Sequence, residues 1–582
     1  MTRTILVCCG TGCIANGSLK VAEALRLALA GRTDVSVEAA VSVEAAVSAE
    51  AAVSAEAVEA IETAVPAEPV KIAETAETAE AAVSAVKETG CNGFCENGPI
   101  VRIMPDDISL YKVRPEDALD IVASLGGNPP ERLLYRDEGG KPVLRQMENP
   151  FYAPQHKVVL RNIGLIDPGS IRDYMDRDGY KSLRKALGMT PDAIIGEIEA
   201  SGLRGRGGAG FPTGRKWRAA AGYDESPKYV VCNGDEGDPG AFMDRSVLEG
   251  DPHSVLEGMA VCALAIGAQE GFLYIRDEYA LALKHVQKAI RDAEEAGVLG
   301  DSVMGSGKKL RLSVVRGGGA FVCGESTALL ASIEGKVGEP HAKYIRSVQK
   351  GLWGKPTVLN NVETFANIPA IIAGGGADFA SLGTENSKGT KVFALVGKVR
   401  RTGLIEVPMG VTLRHLIFDV GGGIPGDRPF KAVQTGGPSG GCIPESMLDL
   451  PVDFDTLTEY GAMMGSGGMI VMDDSSCMVD VARYYVNFLA DESCGKCTPC
   501  REGLRQTLSI LTGICEGRGC EGDIETLEEL CDTMKDTSLC ALGKTAVNPV
   551  LTTIKHFRNE YEAHIIDKRC PAGACKGLQE KG

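Results

Sequence analysis

Several scarcities narrow the class of this protein before any motif is read. Aromatic residues make up only 5% of the chain. No apolar run approaches the roughly 18 to 20 residues that a bilayer demands, so no membrane span is expected. The opening "MTRTILVCCGTGC" turns polar and glycine-rich after a short apolar stretch, which fits a soluble, cytoplasmic protein. Positive charge is in deficit, with 61 Lys and Arg against 78 Asp and Glu and a net charge of −17. Such a surface repels phosphate backbones and anionic membranes, and nucleic acid is not expected as a partner. Disulfides explain the cysteines poorly, because 19 is an odd number and a reducing cytosol disfavours them. Metal or redox chemistry is the better default.

What is abundant is glycine. The 72 glycines in 582 residues exceed the ordinary share of about 7%, so many backbone turns must approach something closely. The length exceeds one hydrophobic core and predicts about three or four domains. "TRTILVC" has strand character and "NGSLKVAEALRLALAG" reads as an amphipathic helix, opening a small α/β unit. From Val37 to residue 86 the chain is low in complexity, repeating "VEAAVS" with a period of six that fits no helical stripe. We read it as an insertion, with order resuming near Lys87 and a boundary in the proline-rich stretch between 125 and 150. Beyond it, helical patterns such as "SVLEGMAVCALAIGA" alternate with strand patterns such as "KYVVCNGDEGD", "GFLYIRDEY" and "LRLSVVRGGG", predicting an α/β layer domain. Short strands and turns follow up to about 476, and the remainder reads as mostly helical.

The cysteines fall into three constellations. Cys494, Cys497 and Cys500 in "ESCGKCTPCREG" have the C-x2-C-x2-C spacing that brings three thiolates to one corner of a [4Fe-4S] cubane, with zinc as the alternative. Of the downstream cysteines 515, 520, 531 and 540, only Cys540 sits in a loop-like setting, and it is assigned as the fourth ligand. Cys8 and Cys13 in "VCCGTGC", with Cys91 and Cys95 in "GCNGFC", form two loop pairs suited to a [2Fe-2S] rhomb. Zinc is the main alternative, and Cys9 could replace Cys8. Neither pair has the C-x-x-C spacing of a redox dithiol. Cys477, His564, Cys570 and Cys575 could hold a structural zinc or remain unliganded.

"SGLRGRGGAGFPTGRKW" contains G-x-G-x-x-G at Gly205, Gly207 and Gly210, but a helical pattern precedes it, so the ordinary dinucleotide fingerprint fails on context. What remains is a glycine-dense loop flanked by Arg204, Arg206, Arg215 and Lys216, suited to an anionic cofactor. "CNGDEGDPGAFMDR" clusters Asn233, Asp235, Glu236 and Asp238 where sugar hydroxyls could be received, and "RGGGAFVCGESTALLASIEG" enters a helix N-terminus that favours anions.

Together with "GLWGKPTVLNNVET", these motifs resemble the flavin-bearing NADH-oxidising subunit of respiratory complex I and, more closely, the beta subunits of soluble NAD-dependent or electron-bifurcating [FeFe] hydrogenases and formate dehydrogenases. The resemblance covers nearly the whole chain outside 37 to 86. It implies a multidomain α/β fold: a thioredoxin-like [2Fe-2S] domain over 1–125, a Rossmann-like FMN- and NADH-binding domain over 126–385, a β-grasp SLBB domain over 386–476 and a helical [4Fe-4S] domain over 477–582. It also implies FMN contacts at Gly205, Gly207, Lys216, Asn233, Asp235, Glu236, Phe321, Gly324, Glu325, Asn360, Asn361 and Thr364, with NADH near Phe211 and Lys343. Cys540 matches the family's fourth cluster ligand. Two departures stand out: Ser326 follows Glu325 where many relatives have a second glutamate, and Arg346 stands where they have an aromatic residue. Many hydrogenase subunits also continue past "CPAGAC" into a domain with two more [4Fe-4S] clusters, whereas this sequence ends at Gly582.

The expected activity is that of an NADH-oxidising or NAD-reducing diaphorase, with FMN converting between hydride pairs and the single electrons that iron–sulfur clusters accept. No protein acid or base is expected beyond the flavin. The implied partners are a hydrogenase or formate dehydrogenase catalytic subunit, a small [2Fe-2S] thioredoxin-like subunit and, if the chain bifurcates electrons, ferredoxin. A non-bifurcating NADH:acceptor reductase and a non-enzymatic iron–sulfur carrier are the competing readings.

Overall fold

The computed structural model describes residues 3–31, 83–342 and 344–578. The chain divides into two compact units, one drawn from residues 1–88 and 97–146, the other from 89–96 and 147–582. Among the described residues, no helix is long and apolar enough to cross a membrane.

The first unit is built on a four-stranded sheet of order β2-β1-β3-β4, with β1 at Arg3–Cys8, β2 at Val83–Thr89, β3 at Val101–Met104 and β4 at Ile108–Leu110. Strand alternation turns Ile5, Val7 and Cys9 to one side, where they pack with Val21 and Leu25 of the helix Ser18–Leu29 and with Ile121. A short hairpin, β5 at Tyr135–Arg136 and β6 at Pro142–Val143, follows. The low-complexity insertion lies almost wholly outside the described residues. Its last residues, from Val83, already belong to β2, so the strand starts upstream of Lys87.

The second unit holds a parallel sheet of order β10-β7-β8-β9, with β7 at Tyr229–Gly234, β8 at Glu270–Arg276, β9 at Arg311–Gly317 and β10 at Thr357–Asn361. Both faces are covered, as a parallel sheet requires. Val230, Cys232, Leu273, Ile275 and Val358 face a helical layer containing Pro252–Ile266 and Val362–Gly374. The alternate residues Tyr229, Val231 and Tyr274 join the helix Ser326–Ile333 and the C-terminal helices in a separate core. The helix Pro252–Ile266 is capped by Asp251, which accepts from Ser254 N at 3.2 Å. Its Gly258 lies so close to the Phe365 carbonyl that a side chain could not fit.

A mixed sheet of order β12-β11-β15-β13-β14 comes next: β11 at Thr390–Gly397, β12 at Gly403–Pro408, β13 at Phe430–Thr435, β14 at Gly441–Pro444 and β15 at Gly468–Asp473. It is tied to the preceding layer by Lys391, which donates to Glu363 in a fully buried ion pair. The remainder is helical, with Met478–Glu492, Thr498–Cys515, Asp523–Thr537 and Asn548–Ile565.

Candidate cofactor and metal sites

In the parallel sheet the chain runs outward through β7, β8 and β9 and then returns to add β10 on the other side of β7. The strand order reverses between β7 and β10, and the crevice at their carboxyl ends is where such sheets bind ligands. Asn233 at the end of β7 pairs with Asn361 at the end of β10, so residues from distant motifs meet there.

The glycine loop closes over this crevice. It leaves the helix Pro191–Ala200, the helical approach that its context indicated. Gly205 N donates to Phe211 O at 2.9 Å. Gly210 has a φ of 60°, and the Phe454 ring lies 2.7 Å from where its Cβ would stand, so only glycine fits. Gly207 rests against Asn361. Lys216 Nζ donates to Leu359 O at 2.7 Å and to Asn360 Oδ1 at 3.1 Å. Arg206 N donates to Thr364 Oγ1 at 2.9 Å, fastening the loop to the N-terminus of the helix Val362–Gly374, which Asn361 caps.

Two of the flanking arginines are engaged within the protein. Arg206 is fully buried and donates to the carbonyls of Thr390, Arg204 and Lys388. Burial lowers its pKa to about 10. Arg204 pairs with Asp455 at 3.0 Å and stacks on Phe454. Both shape the loop rather than presenting charge at its surface.

Around the crevice, Asn233 Nδ2 donates to Gly324 O at 3.0 Å and Asn233 Oδ1 accepts from Asp235 N at 3.0 Å. Asp235 pairs with Arg276 at 3.1 Å, and burial still pushes its carboxyl up to about 7. Asp238 is pushed up to about 6 by burial and accepts from Ser466 Oγ at 2.7 Å. The Glu236 carboxylate is engaged elsewhere, accepting from Asp244 N and Arg245 N. Glu325 caps the helix Ser326–Ile333, accepting from Thr327 N at 2.8 Å, while Ser326 Oγ donates to it at 3.1 Å. Phe211 is half exposed, with the Arg346 guanidinium 6.0 Å from its ring centroid. Lys343 lies outside the described residues.

Two polar atoms in the crevice, Asn360 Nδ2 and Asp235 Oδ2, are buried with no hydrogen-bond partner among the described residues. Leaving both unmade costs about 1–3 kcal/mol each, so they fit a bound group that carries an acceptor and hydroxyl donors. FMN offers both: its phosphate and ring carbonyl oxygens accept, and its sugar hydroxyls donate. Asp244 is buried, accepts from Asn361 Nδ2 and from Glu363 N, and so orients Asn361. Nothing in its local sequence marks it.

The thiols of Cys494, Cys497, Cys500 and Cys540 line one cavity with Val322, Pro340 and Leu542. Cys497 precedes the helix Thr498–Cys515, which carries Cys500 in its first turn, and Cys540 precedes the helix Ala541–Thr545. Burial pushes Cys500 up to about 11, and Ser493 Oγ lies 3.3 Å from its sulfur. Of the competing cysteines, Cys515 and Cys531 are packed in the core and Cys520 is exposed.

Cys477, His564, Cys570 and Cys575 are all buried, with ligand atoms within 4.8 Å of one another. The contacts Cys477 to His564 at 3.4 Å, His564 to Cys575 at 3.4 Å and Cys575 to Cys477 at 3.6 Å approach the tetrahedral edges, about 3.5–3.8 Å, implied by zinc bond lengths. Nδ1 of His564 lies 2.7 Å from Glu560 O, which leaves Nε2 for the metal. No other group of three metal-ligating side chains is this tight among the described residues.

Cys8 and Cys13 lie 3.1 Å apart at sulfur, while Cys9 packs into the core of the first unit. In the second unit, Cys91 and Cys95 lie 3.6 Å apart, and their hydrogen bond raises the Cys95 pKa.

The chain matches the family described as Nuo51 FMN-binding domain over residues 198–370 and that described as NADH-ubiquinone oxidoreductase-F iron-sulfur binding region over 480–564. It is 55% identical over 424 residues to the NADP-reducing hydrogenase subunit HndC of Solidesulfovibrio fructosivorans, covering 73% of this chain and 86% of that one. The chain belongs to the family of FMN-binding subunits of NADH dehydrogenases. To an F-type subunit of the NADH-quinone oxidoreductase of Rhizobium meliloti it is 48% identical over 416 residues, covering 71% of this chain and 99% of that one. The crystal structure of an NAD+-reducing [NiFe]-hydrogenase in the H2-reduced state superposes with a TM-score of 0.63 at 28% identity, covering 97% of this chain and 84% of that one. Like its family, this chain is a flavoprotein oxidoreductase of NADH dehydrogenase type, multidomain and α/β, with FMN- and [4Fe-4S]-binding regions.

Proposed function

We propose that this chain is the diaphorase subunit of a soluble hydrogenase complex, exchanging electrons between NADH and iron–sulfur centres. FMN, when bound, supplies the conversion chemistry: one hydride enters per NADH, and one proton and two single electrons leave. The protein's part is positional. Gly205, Gly207, Lys216, Asn360, Asn361 and Thr364 would hold the phosphate and ring, Asn233 and Asp235 would receive sugar hydroxyls, and Phe211 would offer a stacking face to the dinucleotide.

The observation that carries this reading is a shared wall. The loop Phe321–Gly324 bonds to Asn233 in the crevice through Gly324 O, while its Val322 lines the cavity of Cys494, Cys497, Cys500 and Cys540. The buried Asn360 Nδ2, without a partner among the described residues, is a donor that a bound flavin would satisfy. The hydrogenase relatives favour hydrogen over formate as the partner's substrate. The proposal includes a [2Fe-2S] centre ligated by Cys8, Cys13, Cys91 and Cys95, a zinc ion on Cys477, His564, Cys570 and Cys575, a thioredoxin-like domain around the first pair and a β-grasp SLBB domain at 386–476.

Anaerobic metal, sulfide and flavin counts test it. About six irons, one zinc and one FMN per chain are expected. About four irons would remove the [2Fe-2S] centre, and protein that binds no flavin and ignores NADH would remove the whole reading.

A further inference from the structure

We infer that Glu492 is a positioning residue that fixes the spacing between the flavin-side loop and the cysteine cavity. The inference rests on the reading of those two sites given above. The loop from Gly317 to Glu325 follows β9 and is pinned at three points. Gly319 O accepts from Arg276 Nη2 at 2.6 Å and Gly324 O accepts from Asn233 Nδ2 at 3.0 Å, both anchors standing on the parallel sheet. Between them, Phe321 N donates to Glu492 Oε2 at 2.7 Å.

Glu492 belongs to a different part of the chain. It is the last residue of the helix Met478–Glu492, and Cys494 follows two positions later. One turn earlier, Phe488 meets the Phe321 ring edge-on at 5.4 Å. Phe321 opens a short 3-10 turn, so its N–H has no partner within that turn and would be orphaned without the carboxylate. The loop is thus held from the flavin side by residues of the sheet and from the cluster side by the residue that leads into the first cysteine. Val322, next to the bonded amide, is the side chain that lines the cavity. Electron transfer falls steeply with distance, so a bond that fixes this wall acts chiefly on the second half of the reaction.

Glu492→Ala and Glu492→Gln in the holoprotein test this, because the amide of Gln keeps an acceptor but removes the charge. Flavin content, flavin bleaching by NADH, and the rapid-freeze EPR signal of the reduced [4Fe-4S] centre are measured, together with hydrogen exchange at Phe321 without NADH. With Glu492→Ala, flavin content and bleaching should hold, cluster reduction should slow about tenfold or more, and Phe321 should exchange faster. Glu492→Gln should restore most of both. Wild-type cluster reduction in Glu492→Ala, or a Gln variant as slow as the Ala variant with Phe321 still protected, would overturn the inference. Wild-type protein lacking flavin would overturn the site reading instead, and the exchange measurement would still decide whether Glu492 holds Phe321.

Discussion

Gly543→Ala should damage the [4Fe-4S] centre while leaving the flavin in place. Gly543 sits in the helix Ala541–Thr545, which starts directly after Cys540. A Cβ added there would stand 2.6 Å from Ser538 Oγ, 2.7 Å from Ser538 Cβ and 2.9 Å from Cys500 Cβ. Carbon contacts relax at about 3.5–4.0 Å, so the methyl group overlaps Ser538 by about 0.8 Å and Cys500 by about 0.6 Å. Neither neighbour can swing away cheaply. Ser538 is buried, and the Cβ of Cys500 is fixed to the first turn of the helix Thr498–Cys515.

The strain is therefore relieved by separating Cys540 from Cys500, at a cost of about 1–3 kcal/mol of folding energy. Metal–ligand distances tolerate about 0.2 Å, so a displacement near 0.6 Å is several times too large for four thiolates to share one cluster unchanged. Iron and acid-labile sulfide counts with EPR of the reduced protein provide the assay, and FMN absorbance is the internal control. Gly196→Ala is the comparator, since open space surrounds that position inside the helix Pro191–Ala200. It should leave iron unchanged and stabilise by about 0.5–1 kcal/mol. A Gly543→Ala protein with full iron and an unaltered EPR line shape would refute the reasoning and remove Cys540 from the ligand set.

Cys540→Ser should lower the iron count, while Cys520→Ser, at an exposed thiol, should not; equal loss in both would reopen the fourth-ligand assignment. Asp235 titrates near 7 in the folded chain against about 3.9 unfolded. Its raised pKa costs nothing below pH 4, costs more as pH rises, and reaches a full penalty of up to about 4 kcal/mol above 7. Asp235→Asn should therefore flatten the fall in stability of FMN-free protein across this window, and parallel urea midpoints from pH 4 to 8 would contradict it. Lys391→Met leaves Glu363 buried without its cation and should cost about 3–5 kcal/mol, with part recovered in Lys391→Met/Glu363→Gln. A single variant that unfolds like wild type would show that the pair is not coupled. Chelation or Cys477→Ser should release one zinc per chain and raise protease cleavage within residues 548–578 without loss of flavin, and zinc-free wild-type protein would disprove the site.

The sequence made the element types legible wherever periodicity was long. "SVLEGMAVCALAIGA" is the helix Pro252–Ile266, and "KYVVCNGDEGD" contains β7. The helical run before the glycine loop, which spoiled the dinucleotide fingerprint, is the helix Pro191–Ala200. Spacing gathered Cys477, His564, Cys570 and Cys575, and the fold brings their ligand atoms together across 98 positions of chain. What spacing could not give was the direction of a single side chain. Arg206 looks like an anion-binding cation in the motif, yet it turns inward to three carbonyls. Glu236 looks like a sugar ligand, yet its carboxylate caps the turn at Asp244 and Arg245. Asp244 and Glu492 act on partners more than 100 positions away, and no local pattern reports such a contact.

The closeness of the two sites follows from the alternation of one strand set. Within β7, Val230 and Cys232 are committed to the helical layer, which leaves Tyr229 and Val231 as the floor of the other face. The C-terminal helices bury Val479, Val486 and Leu504 in that second core, so the segment carrying Cys494 to Cys500 docks on the face that the first layer does not use. The loop after β9 leaves the sheet at its carboxyl edge, where the order reversal also opens the crevice. It must then pass between crevice and docked helices before entering the helix Ser326–Ile333. A single segment thus becomes the wall of both sites, and its neighbours on either side, Asn233 and Glu492, are the residues that hold it there.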